Sequence, residues 1–366
     1  MELWAWGNGG MGQLATGNFC DFFKPTKLQL QFQLHCDSIV VLGGGHTFLI
    51  SKTEGVLYAS GWNHKGQCGL KTSKQNLAQF TKVKTPEKFV QVAAGWDFSV
   101  GIDQHGKAYG CGSNLYGQIG LSPEIKFQEE FKQIESVSGI KAVSCGMRHT
   151  IFLCENGRVF ACGNGKKGQL CTRTPLKDNV FNVIEVLTSN CDGGDSNSIG
   201  GKRVTAVKAG QNFSLLEYED GSIEAFGDDK HNQVSHISAL VEGQSPSSQI
   251  EVGWTHVVCL YENGSVKSVG RSDYGQTNVS SLSSIQLLSI GYEHGLAINT
   301  SKELYSWGWN EHGNCGLGNT ENVLQPIKLD DFEGQQNVIN CFAGSGHSFA
   351  LVKKHSSVTA ANIIQE

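Results

Sequence analysis

The sequence predicts an all-β fold, a single seven-bladed β-propeller of four-stranded blades, from three observations. A motif of the form apolar-x-x-Gly-x-x-His, with some variation at the last position, recurs seven times along the 366 residues. A second motif, which approximates Gly-x-Asn-x-x-Gly-Gln with variation at several positions and Asn232 in place of one second glycine, also recurs seven times, and six of its copies follow a first motif at a spacing of 22 or 23 residues. Glycine supplies 46 residues and proline only 6, which excludes a Pro/Gly-rich low-complexity chain. Four-stranded units that recur every ~40–50 residues are typical of propeller blades.

The first motif sets the length of the repeats. Its glycines are separated by 52, 51, 64, 43, 38 and 53 residues. The distance to the second motif is nearly constant, so the variation in length falls between the units, as expected of loops in a repeat protein. The glycines are Gly43, Gly95, Gly146, Gly210, Gly253, Gly291 and Gly344.

Each unit between the two motifs is predicted to form a β-hairpin. In the first unit, an apolar run at Thr47–Ile50 is followed by the turn Glu54-Gly55 and a second run at Val56–Ser60. Later units carry Asn-Gly or Asp-Gly at the turn, which supplies the positive φ that tight hairpins need. A run before the first motif and a run after the second motif, such as Phe80–Lys84, bring the count to four strands.

The two motifs are out of phase at the ends of the chain. The sequence opens with a second motif at 3–13 and ends with a first motif at 341–347. The last blade is therefore predicted to take strands from both termini, which closes the ring and removes exposed sheet edges. We expect one propeller over 1–353 with long inter-blade loops at 121–139 and 171–202, and a short flexible C-terminal tail over 354–366.

Composition argues against several classes of function. The net charge is −5 and no Lys/Arg run exceeds two residues, so a nucleic-acid surface is not expected. No apolar stretch approaches the ~20 residues of a membrane span. The N-terminus has no features of a signal peptide. The twelve cysteines include no C-x-x-C pair, so we expect reduced thiols and a protein of the cytoplasm, or of the cytoplasm and the nucleus.

No catalytic, cofactor or metal site is predicted. The sequence has no G-x-S-x-G, and its G-x-G-x-x-G at 7–12 lies in a β-repeat instead of a strand–helix unit. The recurring histidines are expected to be buried and bonded to a neighbouring carbonyl, because Phe98 and Phe213 replace two of them. They are His46, His149, His256, His294 and His347.

Residues that vary inside this fixed frame are the candidates for binding. Two variable positions follow each first-motif glycine, and a second variable set lies inside the second motif. Because the frame repeats around a ring, each set is expected on one face, where aromatic and arginine side chains would anchor a protein partner. Two alternatives are that the tryptophan rings pack between blades and that the charged loop residues are merely solvated. The candidate partner-binding residues are Trp96, Asp97, Arg148, Trp254, Thr255, Arg271, Asp273, Tyr274, Tyr292, Glu293, Trp309, Glu311 and His312.

The two motifs together resemble the repeat of the regulator of chromosome condensation family, over residues 3–353. The resemblance implies a seven-bladed propeller whose last blade is closed by both termini. Stretches at 95–98, 253–256 and 270–276, and above all Trp307–Gly316, are similar to one branch of that family. This branch contains the secretion-regulating guanine nucleotide exchange factors of animals and the alpha-tubulin suppressor of fungi.

The resemblance to this branch implies a non-enzymatic accessory protein, a monomer or one half of a one-to-one heterodimer. Its partner would be the small zinc-binding electron-carrier protein of diphthamide synthesis, and it would support Elongator-dependent modification of tRNA wobble uridines. The alternative is a guanine nucleotide exchange factor for a Ran-like or secretion-related small GTPase. The family's exchange member uses an inserted β-wedge, for which 171–202 is the candidate stretch here.

Overall fold

Seven antiparallel sheets form a closed ring in the computed structural model, which describes residues 1–51, 53–172, 174–186, 202–242, 247–332 and 336–354. The first strand of each sheet contacts the first strand of the next, and the seventh contacts the first. These seven strands therefore surround a central channel. The predicted fold class, an all-β seven-bladed propeller, is confirmed.

Blades 1 to 3 each have four strands, ordered from the channel outward. Blade 1 is β3 (Ser38–Leu42), β4 (His46–Ser51), β5 (Leu57–Trp62) and β6 (Asn76–Val83). Blade 2 is β7 (Phe89–Ala94), β8 (Phe98–Asp103), β9 (Ala108–Ser113) and β10 (Phe127–Gln133). Blade 3 is β11 (Ile140–Cys145), β12 (His149–Cys154), β13 (Val159–Gly163) and β14 (Val180–Val186).

Blades 4 to 7 complete the ring. Blade 4 is β15 (Val204–Ala209), β16 (Phe213–Tyr218) and β17 (Ile223–Gly227). Blade 5 is β18 (Ser247–Val252), β19 (His256–Tyr261) and β20 (Val266–Gly270). Blade 6 is β21 (Ile285–Ile290), β22 (His294–Asn299), β23 (Leu304–Gly308) and β24 (Val323–Lys328). Blade 7 is β25 (Gln336–Ala343), β26 (His347–Lys354), β1 (Glu2–Gly7) and β2 (Phe22–Lys27).

Blades 4 and 5 have three strands among the described residues, where the sequence predicts four. Their first-motif glycines are followed by the two shortest intervals, 43 and 38 residues. In blade 4 the place of a fourth strand is taken by a 3-10 turn at Ile237–Leu240, whose two terminal side chains are buried. The short intervals thus leave room for a turn but no further strand.

The closure of the ring by both termini is confirmed. β1 pairs antiparallel with β26, with Trp4 opposite Ala350. The buried Trp6 adds a contact to blade 6, since its Nε1 donates to the carbonyl oxygen of Asn314 at 2.8 Å. The first strand of the sequence is therefore the third strand of the last blade, paired on both sides by β26 and β2.

The core lies between neighbouring blades. The second strand of most blades is buried on both faces, as in β4, β8 and β12, because each blade is covered by the blades before and after it. Between blades 1 and 2, for example, Phe48, Phe89 and Phe131 pack into one cluster. The fold is thus stabilised by apolar layers between blades.

The stretch 121–139, predicted as an inter-blade loop, contains β10, and 171–202 contains β14. Residues 187–201 of the second stretch and 355–366 of the predicted tail lie outside the described residues. No helix in the described ranges is long and apolar enough to cross a membrane.

Candidate protein-interaction face

The antiparallel order of the strands places both motifs at one end of the ring. The loop between the first and second strands and the loop between the third and fourth strands leave the same end of each blade. The first loop carries the first motif and the second loop carries the second motif. We call this end the motif face, and the opposite face carries the hairpin turns between the second and third strands.

The recurring residues of the second motif shape its loop. In blade 2, the Gln118 Oε1 accepts a hydrogen bond from the backbone N–H of Tyr116 at 2.8 Å, and the same bond recurs in the other copies that carry glutamine. The Asn114 Nδ2 donates to backbone oxygens across the loop, including that of Leu121 at 3.0 Å. The amides thus hold the loop in place, and the side chains between them are left for contacts on the face.

Three aromatic side chains meet where the central channel opens on the motif face. The rings of Trp254 and Tyr292 are stacked, with centroids 4.5 Å apart and planes 16° apart. Trp96, from blade 2 on the other side of the channel, lies 5.5 Å from Trp254 and 6.3 Å from Tyr292. All three are half-buried. We call them the aromatic stack; their rings pack on one another across the channel mouth and not in a layer between two blades.

The aromatic stack needs a neighbour without a side chain. A Cβ atom on Gly44 of blade 1 would lie 2.4 Å from the Trp96 carbonyl oxygen and 2.8 Å from its indole ring. The backbone N–H of Gly44 donates to the carbonyl oxygen of Gly95 at 3.0 Å. Similar bonds join Trp254 to Tyr292 and Tyr292 to Gly344, at 2.9 and 2.8 Å. Hydrogen bonds between blades therefore hold the backbone around the channel mouth.

Ion pairs connect neighbouring blades around the stack. The Lys65 Nζ lies 2.7 Å from the Asp97 Oδ2, and the Arg271 Nη1 lies 3.1 Å from the Glu293 Oε1. Glu293 also accepts from the Gln276 Nε2 at 2.6 Å. Burial raises the pKa of the Glu293 carboxyl, and the attraction of Arg271 opposes that rise. These buried carboxylates hold the loops of one blade to those of the next.

Two arginines of the face lie over tyrosine rings. The Arg148 guanidinium is 4.5 Å from the ring centre of Tyr116, which belongs to the preceding blade. The Arg271 guanidinium is 5.0 Å from the ring centre of Tyr274, and its Nε donates to Asp273 at 2.7 Å. Both pairs are cation–π contacts, which fix a flexible side chain in one orientation.

The second-motif loop of blade 6 brings a further aromatic group to the face. The ring of Trp309 lies edge-on to that of His312, with centroids 5.5 Å apart. The His312 Nδ1 is 2.9 Å from a carboxylate oxygen of Asp21, which lies in the loop between β1 and β2. Glu311, between the two rings in sequence, is exposed.

The structure separates the candidate residues into two groups. Asp97, Thr255 and Glu293 are buried, so their side chains support the face from within. The other ten are half-buried or exposed, and direct contact of these with a partner stays a prediction. Asp21 and Phe127, which contacts Lys65 at 5.7 Å, were missed because neither belongs to a motif.

The five recurring histidines are buried, as expected, but the ring partner of four of them is a hydroxyl group and not a carbonyl. The His46 Nε2 lies 2.8 Å from the Ser99 Oγ of the next blade, and the His149, His294 and His347 rings make the same contact. Burial lowers the pKa of all five histidines to about 3. Within the described ranges, no three His, Cys, Asp or Glu residues are grouped to hold a metal ion.

Comparison with known proteins gives consistent results. The model of the RCC1-like domain family matches residues 2–350. The chain is 29% identical to the secretion-regulating guanine nucleotide exchange factor of Mus musculus, over 95% of this chain and 83% of that protein. It is 25% identical to the regulator of chromosome condensation of Homo sapiens, over 95% of this chain and 89% of that protein. It superposes on Prp20p of Saccharomyces cerevisiae with a TM-score of 0.83 and 20% identity, covering 97% and 92% of the two chains.

Proposed function

The chain belongs to the RCC1-like domain family, and on this premise we propose that it is a protein-binding propeller that docks a small GTPase on its motif face and accelerates release of the bound guanine nucleotide. The observation that carries the proposal is the gathering of the variable residues of seven blades on one face, around the aromatic stack. Aromatic and arginine side chains at the centre of such a surface are the usual anchors of protein partners.

The relatives favour exchange activity over a purely accessory role. The similarity to the mouse secretion-regulating exchange factor extends over 95% of this chain and 83% of that protein. The relatives fit a cytoplasmic or nuclear location equally, since their names include both the secretion-regulating factor and the regulator of chromosome condensation.

Nucleotide exchange requires a group that competes with the nucleotide for its contacts. The phosphates of a bound nucleotide are held by a lysine and a Mg²⁺ ion, and a carboxylate from the exchange factor can compete for either cation. Glu311 offers an exposed carboxylate on the motif face and has no ion-pair partner among the described residues. We assign it the competing role.

A second candidate function is that of the accessory partner of the zinc-binding electron carrier of diphthamide synthesis, in support of Elongator. The sequence run Trp307–Gly316, which most resembles the branch with that role, places Trp309, Glu311 and His312 on the motif face. The same surface would then bind the carrier without any exchange of nucleotide.

One pair of measurements separates the two functions. Release of a fluorescent GDP is followed from Ran and from secretion-related small GTPases with catalytic amounts of the protein, and calorimetry follows its binding to the zinc-loaded carrier. We expect accelerated release from at least one GTPase. One-to-one binding of the carrier with no acceleration on any GTPase would instead establish the accessory function.

The Glu311→Gln variant tests the residue-level assignment. We expect its exchange rate to fall by about tenfold, as for the loss of one charged contact in the transition state, with unchanged thermal stability. Glu262→Gln is the matched control, because Glu262 is also exposed but lies in a hairpin turn on the opposite face. Equal rates for the two variants would contradict the assignment of Glu311.

A further inference from the structure

One sector of the motif face carries positive charges that the chain itself does not neutralise. We propose, resting on the proposed function, that this sector docks an acidic segment of the protein partner and that Arg148 is its anchor. The sector lies on blades 3 and 4 and consists of Arg148, Lys166, Lys167 and Lys230, which we call the basic sector.

The charges of the basic sector are largely unpaired. Lys167 has one partner, with its Nζ 3.6 Å from the Asp228 Oδ1. Among the residues that the structure describes, no carboxylate lies within ion-pair distance of Arg148, Lys166 or Lys230. Three cationic groups on neighbouring loops therefore remain for an external anion.

Two further carboxylates near the sector are engaged elsewhere. An oxygen of Asp229 accepts hydrogen bonds from the backbone N–H groups of Val234 and Ser235, at 2.8 and 3.1 Å. Asp273 of blade 5 accepts from Arg271, and this hydrogen bond is the main cause of its lowered pKa, to which Lys230 also contributes. The four cationic groups of the basic sector still outnumber the three carboxylates near them, Asp228, Asp229 and Asp273.

Arg148 is held in place without losing its donors. Its guanidinium stacks on Tyr116 at 4.5 Å and is half-buried, yet none of its N–H groups donates to a group in the described ranges. A guanidinium carries five N–H donors in a planar fork that fits a carboxylate with two parallel hydrogen bonds. The stacking reduces the conformational freedom that this side chain would lose on binding.

Arg271 provides the internal comparison. It stacks on Tyr274 in the same way, but its donors are already taken by Asp273 at 2.7 Å and Glu293 at 3.1 Å. The sequence thus supplies a carboxylate for one stacked arginine and leaves the other without one. In our proposal, a carboxylate of the partner pairs with Arg148, as Asp273 and Glu293 pair with Arg271.

The lysines and Arg148 should affect different steps of binding. Lys166, Lys167 and Lys230 are exposed at the rim, where charges mainly raise the association rate and make it sensitive to salt. Arg148 is half-buried and can form a short, directional pair, so its loss should mainly raise the dissociation rate.

The test uses the full chain and a fluorescein-labelled hexaglutamate peptide, with binding followed by fluorescence anisotropy at low and at high salt. We expect Arg148→Gln to weaken binding by about tenfold, and Lys166→Gln and Lys230→Gln by about threefold each, as for charge-assisted contacts of decreasing burial. Arg158→Gln is the control, because Arg158 stacks on Phe160 in the same blade but lies beside the opposite face. We expect it to bind as the parent protein does.

Three outcomes would overturn the proposal: no binding of the peptide to the parent protein, equal losses for Arg148→Gln and Arg158→Gln, or full displacement of the peptide by an equal concentration of inorganic phosphate. The last outcome would identify a phosphate site instead. Peptide binding that depends on Arg148, together with no exchange activity on any GTPase, would reject the proposed function and leave the acidic docking site standing. All variants are first compared by thermal unfolding. Stability should be unchanged, since Arg158, Lys166 and Lys230 are exposed and the half-buried Arg148 donates no hydrogen bond in the described ranges.

Discussion

The His149 Nε2 lies 2.9 Å from the Ser214 Oγ of the next blade, and that hydroxyl group in turn donates to the carbonyl oxygen of Gln169 at 2.7 Å. Because the hydroxyl proton is directed to the carbonyl, the serine oxygen accepts from the histidine, which fixes the neutral ring with its proton on Nε2. Two hydrogen bonds thus join the two motifs of blade 3 through β16 of blade 4.

His149→Phe is expected to lower the free energy of unfolding by about 1–2 kcal/mol, because the buried Ser214 hydroxyl loses its donor. His256→Phe is expected to leave stability unchanged or raise it. In that blade both ring nitrogens lack a partner among the described residues, since Gly295 stands where five other blades carry serine or threonine. Phenylalanine occupies this repeat position in Phe98 and Phe213. Urea unfolding of the two variants beside the parent protein measures the difference, and an equal loss in both would contradict the role of the hydroxyl.

Acid should destabilise the protein between pH 6.5 and pH 3. Burial holds the pKa of each of the five histidines at about 3, below the ordinary value of 6.5, so the unfolded chain binds more protons than the folded chain in this range. Stability from each histidine is complete above pH 6.5 and is lost as pH falls, by about 1.4 kcal/mol per histidine at pH 5.5. Urea unfolding at pH 7.5, 6.5 and 5.5 measures how steeply the free energy of unfolding falls with pH.

Two carboxyl groups, one half-buried and one buried, have the opposite effect at lower pH. Burial raises the pKa of Glu217 and Glu293, so the folded chain takes up their protons first as pH falls toward the ordinary carboxyl range. The two carboxyl groups thus oppose the five histidines, which are the more numerous groups between pH 6.5 and pH 5.5. The slope of the free energy of unfolding against pH is proportional to the number of protons taken up on unfolding. Between pH 6.5 and pH 5.5, His256→Phe should remove about one of the five histidine protons from that number. An unchanged slope would show that His256 is not a buried neutral group.

Gln91→Leu is expected to destabilise the propeller by about 1–3 kcal/mol, the cost of leaving buried backbone groups unpaired. The Gln91 side chain reaches from the inner strand of blade 2 to blade 3, where its Nε2 donates to the Val143 carbonyl oxygen at 3.1 Å and its Oε1 accepts the Val143 N–H at 3.3 Å. Gln249 makes the same pair of bonds with Leu288 between blades 5 and 6. Chemical unfolding measures the loss.

Gln104→Leu is the control for that substitution, because the Gln104 side chain is exposed and bonds only to the neighbouring His105. It should unfold at the same urea concentration as the parent protein. A similar loss in both variants would mean that the amide bridge between blades contributes nothing to stability.

The ring closure and the motif face could be predicted from the sequence, because both depend only on the order and spacing of the two motifs. The phase difference between the motifs predicts that β1 joins β26, and alternation of strands places both motifs at one end. The sequence also contains a signal for the two blades with three described strands. The intervals that follow Gly210 and Gly253 are the two shortest, so they leave the least chain for a fourth strand. Five of the seven blades have the predicted four strands, and blades 4 and 5 have three among the described residues.

The aromatic stack could not be predicted. Trp96 lies in blade 2 and meets Trp254 and Tyr292 of blades 5 and 6 across the channel, so the contact depends on the width of the ring and on the direction of each side chain. The hydroxyl partner of the histidines could have been predicted from the sequence. Thr47, Ser99, Thr150, Ser214 and Ser348 all occupy the position after the recurring histidine or its phenylalanine replacement.

The double substitution Trp96→Ala with Trp254→Ala is expected to abolish partner binding while the propeller stays folded. The two rings are half-buried against each other and against Tyr292, outside the apolar layers between blades, so their removal opens the channel mouth and not the core. Loss of two aromatic anchors should cost at least about 2 kcal/mol of binding, or about thirtyfold in affinity. Circular dichroism checks the fold, and calorimetry against the partner identified by the exchange assay or the carrier titration checks binding.

Trp62→Ala provides the matched control for this pair. Trp62 is also half-buried on the motif face, where it stacks on His64 at 4.0 Å, but it takes no part in the aromatic stack. If it weakens binding as strongly as the double variant, the partner covers the whole face and the channel mouth is not its centre. If the double variant unfolds, the stack belongs to the framework of the ring. If the double variant folds and binds normally, the partner uses another surface, because anchors at the centre of an interface cannot be removed without loss of affinity.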